Sequence, residues 1–180
     1  MSASRVTPVV PGTRQELAAI EARISAARGR ISPLYQVLLN SPAVVDGWEA
    51  MLTAIRQKTS LSPRLRELII LRVANLNNAP YDFDAHVPPA LAGGMPQEVI
   101  DALRSNPAPH DVQGLAPGEA EVLALTDAMT RDIEVPDAVF APVRARYDDA
   151  QLVELAATVG AYNMVSRFLE ALQVHSDDHR

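Results

Sequence analysis

The chain has 180 residues, 48 % of them apolar and few aromatic, a composition that suits helices packed through Ala, Leu, Val and Ile rather than a sheet. Its net charge of −6, with basic residues scattered singly, argues against nucleic acid, which needs a concentrated set of phosphate-neutralising side chains. There is no cysteine, which excludes disulfides, thiolate metal ligands and thiol redox chemistry, and no apolar run approaches the roughly 20 residues of a membrane span.

Residues 1–12 carry two prolines and no periodicity, and an extended arm is expected there. The arm lacks a basic start followed by an apolar stretch, so no secretory leader is read and a cytoplasmic location is expected. Thr13 and Glu16 have the form of a capping box, followed by Leu17, Ile20, Ile24 and Ala27 at helical spacing. Ser32-Pro33 and Ser41-Pro42 repeat one device, a Ser cap with Pro at the first helical position. They predict a short helix to about residue 40 and a longer one to about residue 58, the latter with Val44, Val45, Trp48, Met51, Leu52 and Ile55 on its apolar face.

Ser62-Pro63 opens the next helix in the same way. Leu65, Leu68, Ile69, Leu71, Val73 and Leu76 make it apolar around most of its circumference, which marks a central helix. The Ala79-Pro80 step ends it, and a further helix starts near Pro80 and stops at Gly93-Gly94. Pro88 and Pro89 lie inside that segment, where a kink is expected. A shorter helix is predicted over 97–104, then an irregular surface loop over 105–118. Three more helices are predicted over 117–131, 136–147 and 149–174, and a polar tail over 176–180. No segment alternates as a strand does. The expectation is all-α: about eight helices in one domain over 13–175, with a central antiparallel helix pair.

The stretch 62–95 concentrates proton-handling groups beside apolar surface. Glu67 lies in the second turn of the central helix, and Asp82 and His86, at i and i+4, project from one side of the next. Each has an ordinary structural reading. Glu67 there complements the helix dipole and pairs with Arg64, while Asp82 and His86 form a local surface hydrogen bond. Taken together on antiparallel neighbours they face each other across a helix-packing distance of about 8–10 Å. Such a set suits proton transfer: His86 as acid or base, Glu67 or Asp82 fixing its tautomer, and Tyr81 donating to developing oxyanion charge. Asn163 and Arg167, at i and i+4 beside Tyr162 on the last helix, are candidates to hold a substrate carboxylate, or else form a polar helix edge. His110, His175 and His179 read as solvated. The spacing matches no metal-binding motif, and there is neither a glycine-rich phosphate loop nor a nucleophile elbow.

Ser62-Pro63-Arg64-Leu65-Arg66-Glu67-Leu68-Ile69-Ile70-Leu71-Arg72-Val73-Ala74 resembles the signature helix of the carboxymuconolactone decarboxylase family. Tyr81-Asp82-Phe83-Asp84-Ala85-His86-Val87, with Ala90-Leu91-Ala92-Gly93-Gly94-Met95 after it, is similar to that family's second signature segment. Gly160-Ala161-Tyr162-Asn163-Met164-Val165-Ser166-Arg167 resembles its last helix. The same superfamily contains alkylhydroperoxidase-D-like (AhpD-like) proteins, which carry a Cys-x-x-Cys pair, then three residues, then His. Aligned on Glu67 and His86, those cysteine positions are Ala79 and Asp82 here, so thiol peroxidase activity is excluded. An acid at the second position is similar to the decarboxylase branch, although that branch usually shows Tyr-Glu-Trp where this chain has Tyr81-Asp82-Phe83. The shorter Asp82 side chain sets its carboxylate oxygens back by about one bond from where a Glu would place them.

The resemblance implies an AhpD-like all-α fold, a ring-like homo-oligomer (trimer or hexamer), no cofactor and a small-molecule substrate in aromatic-compound breakdown. It implies a carboxy-lyase, with His86 as acid–base group, Glu67 and Asp82 orienting it and Tyr81 assisting at the oxyanion. The alternative is an oligomeric binding or scaffold protein that retains the fold without catalysis.

Overall fold

The computed structural model describes residues 4–175, so the expected tail at 176–180, with His179, and the first three residues of the arm lie outside the described residues. Among the described residues there are nine α-helices, two short 3-10 turns and no strand. The helices are α1 (Ala18–Arg28), α2 (Pro33–Leu38), α3 (Pro42–Gln57), α4 (Pro63–Leu76), α5 (Pro80–Ala92), α6 (Gln97–Arg104), α7 (Glu119–Arg131), α8 (Asp137–Arg144) and α9 (Asp149–Leu172). The 3-10 turns are Gln15–Leu17 and Pro109–Asp111, the second falling in the expected loop. None of these helices is long and apolar enough to cross a membrane.

The chain forms two compact units. One comprises residues up to Lys58 and from Phe168 onward; the other is Thr59–Arg167. In the first, α3 packs against α1 and α2. Ile24, Leu39 and Val45 are fully buried, and Trp48 meets Phe168 at a ring separation of 5.0 Å. A polar chain crosses this unit: Arg28 donates to the Thr53 hydroxyl at 3.1 Å, which donates to the buried Glu49 at 2.5 Å. Burial pushes the Tyr35 hydroxyl above the ordinary phenol range; the neighbouring Arg28 opposes that shift and Glu49 adds to it.

The expected capping box at Thr13 does not form. The Thr13 hydroxyl donates to the Val10 carbonyl, and the 3-10 turn at 15–17 moves the start of α1 to Ala18, out of its reach. Glu21 instead turns back to accept from the Gly12 N–H at 2.9 Å. Proline stands at the start of α2, α3 and α4 as expected, but only Ser62 caps with its side chain, accepting from the Leu65 N–H at 3.2 Å.

In the second unit α4 is the central element and packs against α5, α6 and α7. Seven successive residues, Leu68 to Ala74, are fully buried, each large apolar one contributing about 1.5–3 kcal/mol to stability. Arg72 lies within that run. Its guanidinium forms a fork with Asp127 on α7, both contacts at 2.6 Å, and donates to the Pro107 carbonyl at 2.9 Å. Arg64, the partner expected for Glu67, is engaged elsewhere: it grips the buried Glu119 at 2.7 and 2.9 Å and reaches the Gly94 and Gly114 carbonyls.

The register of α4 against α5, which sets the site, is held at one end by glycine. A Cβ on Gly93 would sit 3.2 Å from the Arg64 nitrogen and 3.3 Å from the Pro63 carbonyl carbon, so the backbone approach needs a bare Cα. Gly94, at φ +86°, then turns the chain into α6. α5 runs unbroken through Pro88 and Pro89. The carbonyls they cannot serve belong to Asp84 and Ala85, both exposed residues.

Candidate active site

The Asn77–Ala79 break between α4 and α5 reverses the chain, with Asn78 in the left-handed region at φ +52°. The reversal sets Glu67 of α4 opposite His86 of α5. His86 Nδ1 lies 2.6 Å from Glu67 Oε2, both side chains buried, at a separation of 19 residues. An ionised Glu67 accepts the Nδ1–H, which leaves Nε2 as the nitrogen free to exchange a proton. Asp82, one turn before His86, is also buried and presents Oδ1 at 3.9 Å from Nε2. That distance is too long for a direct hydrogen bond. The two carboxylates therefore face opposite edges of one imidazole, Glu67 in contact and Asp82 set back. Among the described residues no three His, Asp or Glu side chains are arranged to hold a metal ion, in keeping with this divergence.

Two residues of α9 complete the surroundings. The Ser166 hydroxyl donates to the Tyr162 carbonyl at 2.8 Å and lies 3.3 Å from Asp82 Oδ2. The Tyr162 ring stands edge-on to the His86 imidazole, with centroids 5.1 Å apart at 88°. Both residues are at most 2 % exposed, so they form a dry wall against the acid–base set. From the sequence both enter only within the last-helix resemblance, although their i, i+4 spacing on the face that carries Val159 and Val165 is the available signal.

The remaining candidates fall into different places. Tyr81, in the first turn of α5, is half-buried. Asn163 is buried, but its amide is committed: it donates to Thr130 Oγ1 and the Val159 carbonyl and accepts from Asn77, each at 3.0 Å. Arg167 is exposed, and no hydrogen bond joins it to Asp82 or His86 among the described residues. His110 lies in the loop, 82 % exposed, as expected of a solvated residue.

Arg66 was not read as part of the site. Its guanidinium Nε lies 3.8 Å from Glu67 Oε1, and its side chain is only 13 % exposed.

The sequence model of the carboxymuconolactone decarboxylase family matches residues 42–128, which contain Glu67, Asp82 and His86. An uncharacterised protein of Bacillus subtilis (strain 168), YdfG, is 28 % identical over 118 residues, 64 % of this chain and 78 % of that protein. Among solved structures, an uncharacterised peroxidase-related protein from Silicibacter sp. TM1040 aligns over 99 % of this chain and 94 % of its own, at 18 % identity and a TM-score of 0.83. An AhpD-core, peroxidase-related protein from Ralstonia eutropha JMP134 aligns over 99 % and 95 %, at 17 % identity and a TM-score of 0.81. At such identities these structures establish the AhpD-like helical fold. The chain thus has the AhpD-like helical fold, contains no cysteine, and is similar to the carboxymuconolactone decarboxylase family over the segment that carries the signature residues of α4 and α5.

Proposed function

We propose that this protein is a cofactor-independent carboxy-lyase that acts on a small carboxylated or lactone-like substrate by proton transfer. The observation that carries this reading is the buried Glu67–His86 contact at 2.6 Å, with Asp82 set back from the other ring nitrogen. A buried ion-forming pair of this kind costs stability in a core that could have been apolar, which favours a functional reason for it. The reading also makes the protein a homo-oligomer, as the family resemblance implies.

In the proposed reaction the bond between the substrate carbon and its carboxylate breaks, CO₂ leaves, and the bonding electron pair passes into the conjugated lactone as a dienolate. His86, as the imidazolium with a proton on each ring nitrogen, then delivers the Nε2 proton to carbon, and the neutral Nδ1–H imidazole left behind regains a proton at Nε2 from water. Glu67 holds the ring and its tautomer, and Asp82 faces the edge where the proton moves. Tyr81 supplies a hydroxyl toward the enolate oxygen. Water excluded by Tyr162 and Ser166 leaves these charges strong.

The test is a screen of carboxylated lactones and β-keto acids for CO₂ release, with His86→Ala as control. The expected result is turnover in the wild type and a loss of about 10²–10⁴-fold in the variant, the usual worth of a positioned acid–base group, with helical content and assembly unchanged. Wild-type activity in a folded His86→Ala protein removes the assignment. No CO₂ release from any member of the panel favours the scaffold alternative.

A further inference from the structure

We infer that Arg66, not an arginine of the last helix, is the group that anchors a carboxylate of the substrate; the inference rests on the proposed carboxylated substrate class. Arg66 sits on α4 immediately before Glu67, with 13 % of its side chain exposed. Its Nε is buried and makes no hydrogen bond among the described residues. Its one ionic neighbour among the described residues is Glu67 Oε1, 3.8 Å from Nε and so beyond hydrogen-bond reach. Glu67 meanwhile gives its other oxygen to His86 at 2.6 Å. The carboxylate therefore orients the guanidinium without satisfying it.

The other cations of this unit are occupied or exposed. Arg64 is taken by Glu119, Arg72 by Asp127, Arg104 by Asp84, Arg144 by Asp149 and Arg146 by Glu121. Arg131 donates to Asn106, and Arg167 is exposed. The chain's one lysine, Lys58, belongs to the other unit. Arg66 alone combines burial, contact with the acid–base pair and unused donors. A buried, unbonded Nε on a largely enclosed guanidinium favours an acceptor, and the planar fork fits a carboxylate with two parallel hydrogen bonds. A cation on the departing carboxylate would stabilise it and slow CO₂ loss. The carboxylate held by Arg66 is therefore one that stays on the product.

The test measures binding rather than turnover. Full-length protein is titrated calorimetrically with 5-oxotetrahydrofuran-2-carboxylate, a saturated lactone acid, and with its uncharged methyl ester. The wild type is expected to bind the acid at least tenfold tighter than the ester. In Arg66→Gln that preference falls to within about twofold of unity, and Arg66→Lys, which keeps the charge and loses the fork, lies between. Because the readout is binding and not turnover, the anchor and the lyase reading fail separately: an acid preference lost at Arg66 stands even if no substrate releases CO₂. Helical content and assembled mass are measured on each variant, and if Arg66→Gln does not fold, Arg66→Lys decides. An acid preference unchanged by the Arg66 substitution, or no preference in the wild type, overturns the inference.

Discussion

At the scale of single residues, the candidate site depends on an imidazole held at one edge by Glu67 and faced at the other by the set-back Asp82. Glu67 touches Nδ1, so Glu67→Gln, which replaces a charged acceptor by a neutral one, is expected to lower kcat by about 10–10³-fold with little effect on KM, read by steady-state kinetics on any substrate found in the screen. Ser166 lies beside Asp82, and Ser166→Ala is expected to lower kcat by about three- to tenfold, since one weak positioning contact at 3.3 Å is lost. An unchanged kcat in Ser166→Ala would remove Ser166 from the account. Glu67, Asp82 and His86 were legible in the sequence because they sit at helical spacing on consecutive helices, where antiparallel geometry brings them together. Ser166 was not, because it reaches Asp82 across 84 residues of chain. Arg66 escaped for a different reason: an arginine next to a glutamate reads as a solvated pair, and its burial comes only from the tertiary packing around α4.

At the scale of elements, the helix starts and stops explain most of what could be read in advance. Proline at the first turn fixed the starts of α3, α4 and α5, and α6 occupies the predicted residues 97–104. What pattern alone could not supply was partner choice over distance. Arg72 falls in the most apolar stretch of α4, and its carboxylate is 55 residues away on α7. Breaking that buried pair by Arg72→Ala is expected to cost about 3–5 kcal/mol, measured by denaturant unfolding. The end of α7 carries the opposite kind of feature. Ile133 is 86 % exposed and held at φ +68°, a conformation that a β-branched side chain resists. Ile133→Gly is expected to stabilise the protein by about 1 kcal/mol by the same measurement, and a loss of stability there would show that the side chain has a role this account lacks.

At the scale of the whole molecule, the AhpD-like helical fold and the absence of cysteine together define the chemistry to look for. The helical fold carries the Glu–His couple, with the Asp82 carboxylate beside it and no thiol in the chain. Stability against pH gives an independent check on the electrostatics away from the site. Burial raises the Glu170 carboxyl above the ordinary carboxylate range, with His175 opposing. A carboxyl raised in this way stabilises the fold while protonated, so its contribution is full in acid and is lost as pH rises through the raised value. Glu170→Gln is therefore expected to melt with the wild type near pH 4 and above it at pH 7, as thermal scans across that range will show.

The central claim, that His86 moves a proton to and from carbon, is tested most directly by exchange in D₂O. Wild-type protein, incubated with an unsaturated lactone acid and followed by proton NMR, is predicted to wash deuterium into the carbon next to the lactone carbonyl, while His86→Ala leaves that signal at the uncatalysed rate. Exchange at the wild-type rate in a folded His86→Ala protein would contradict the account.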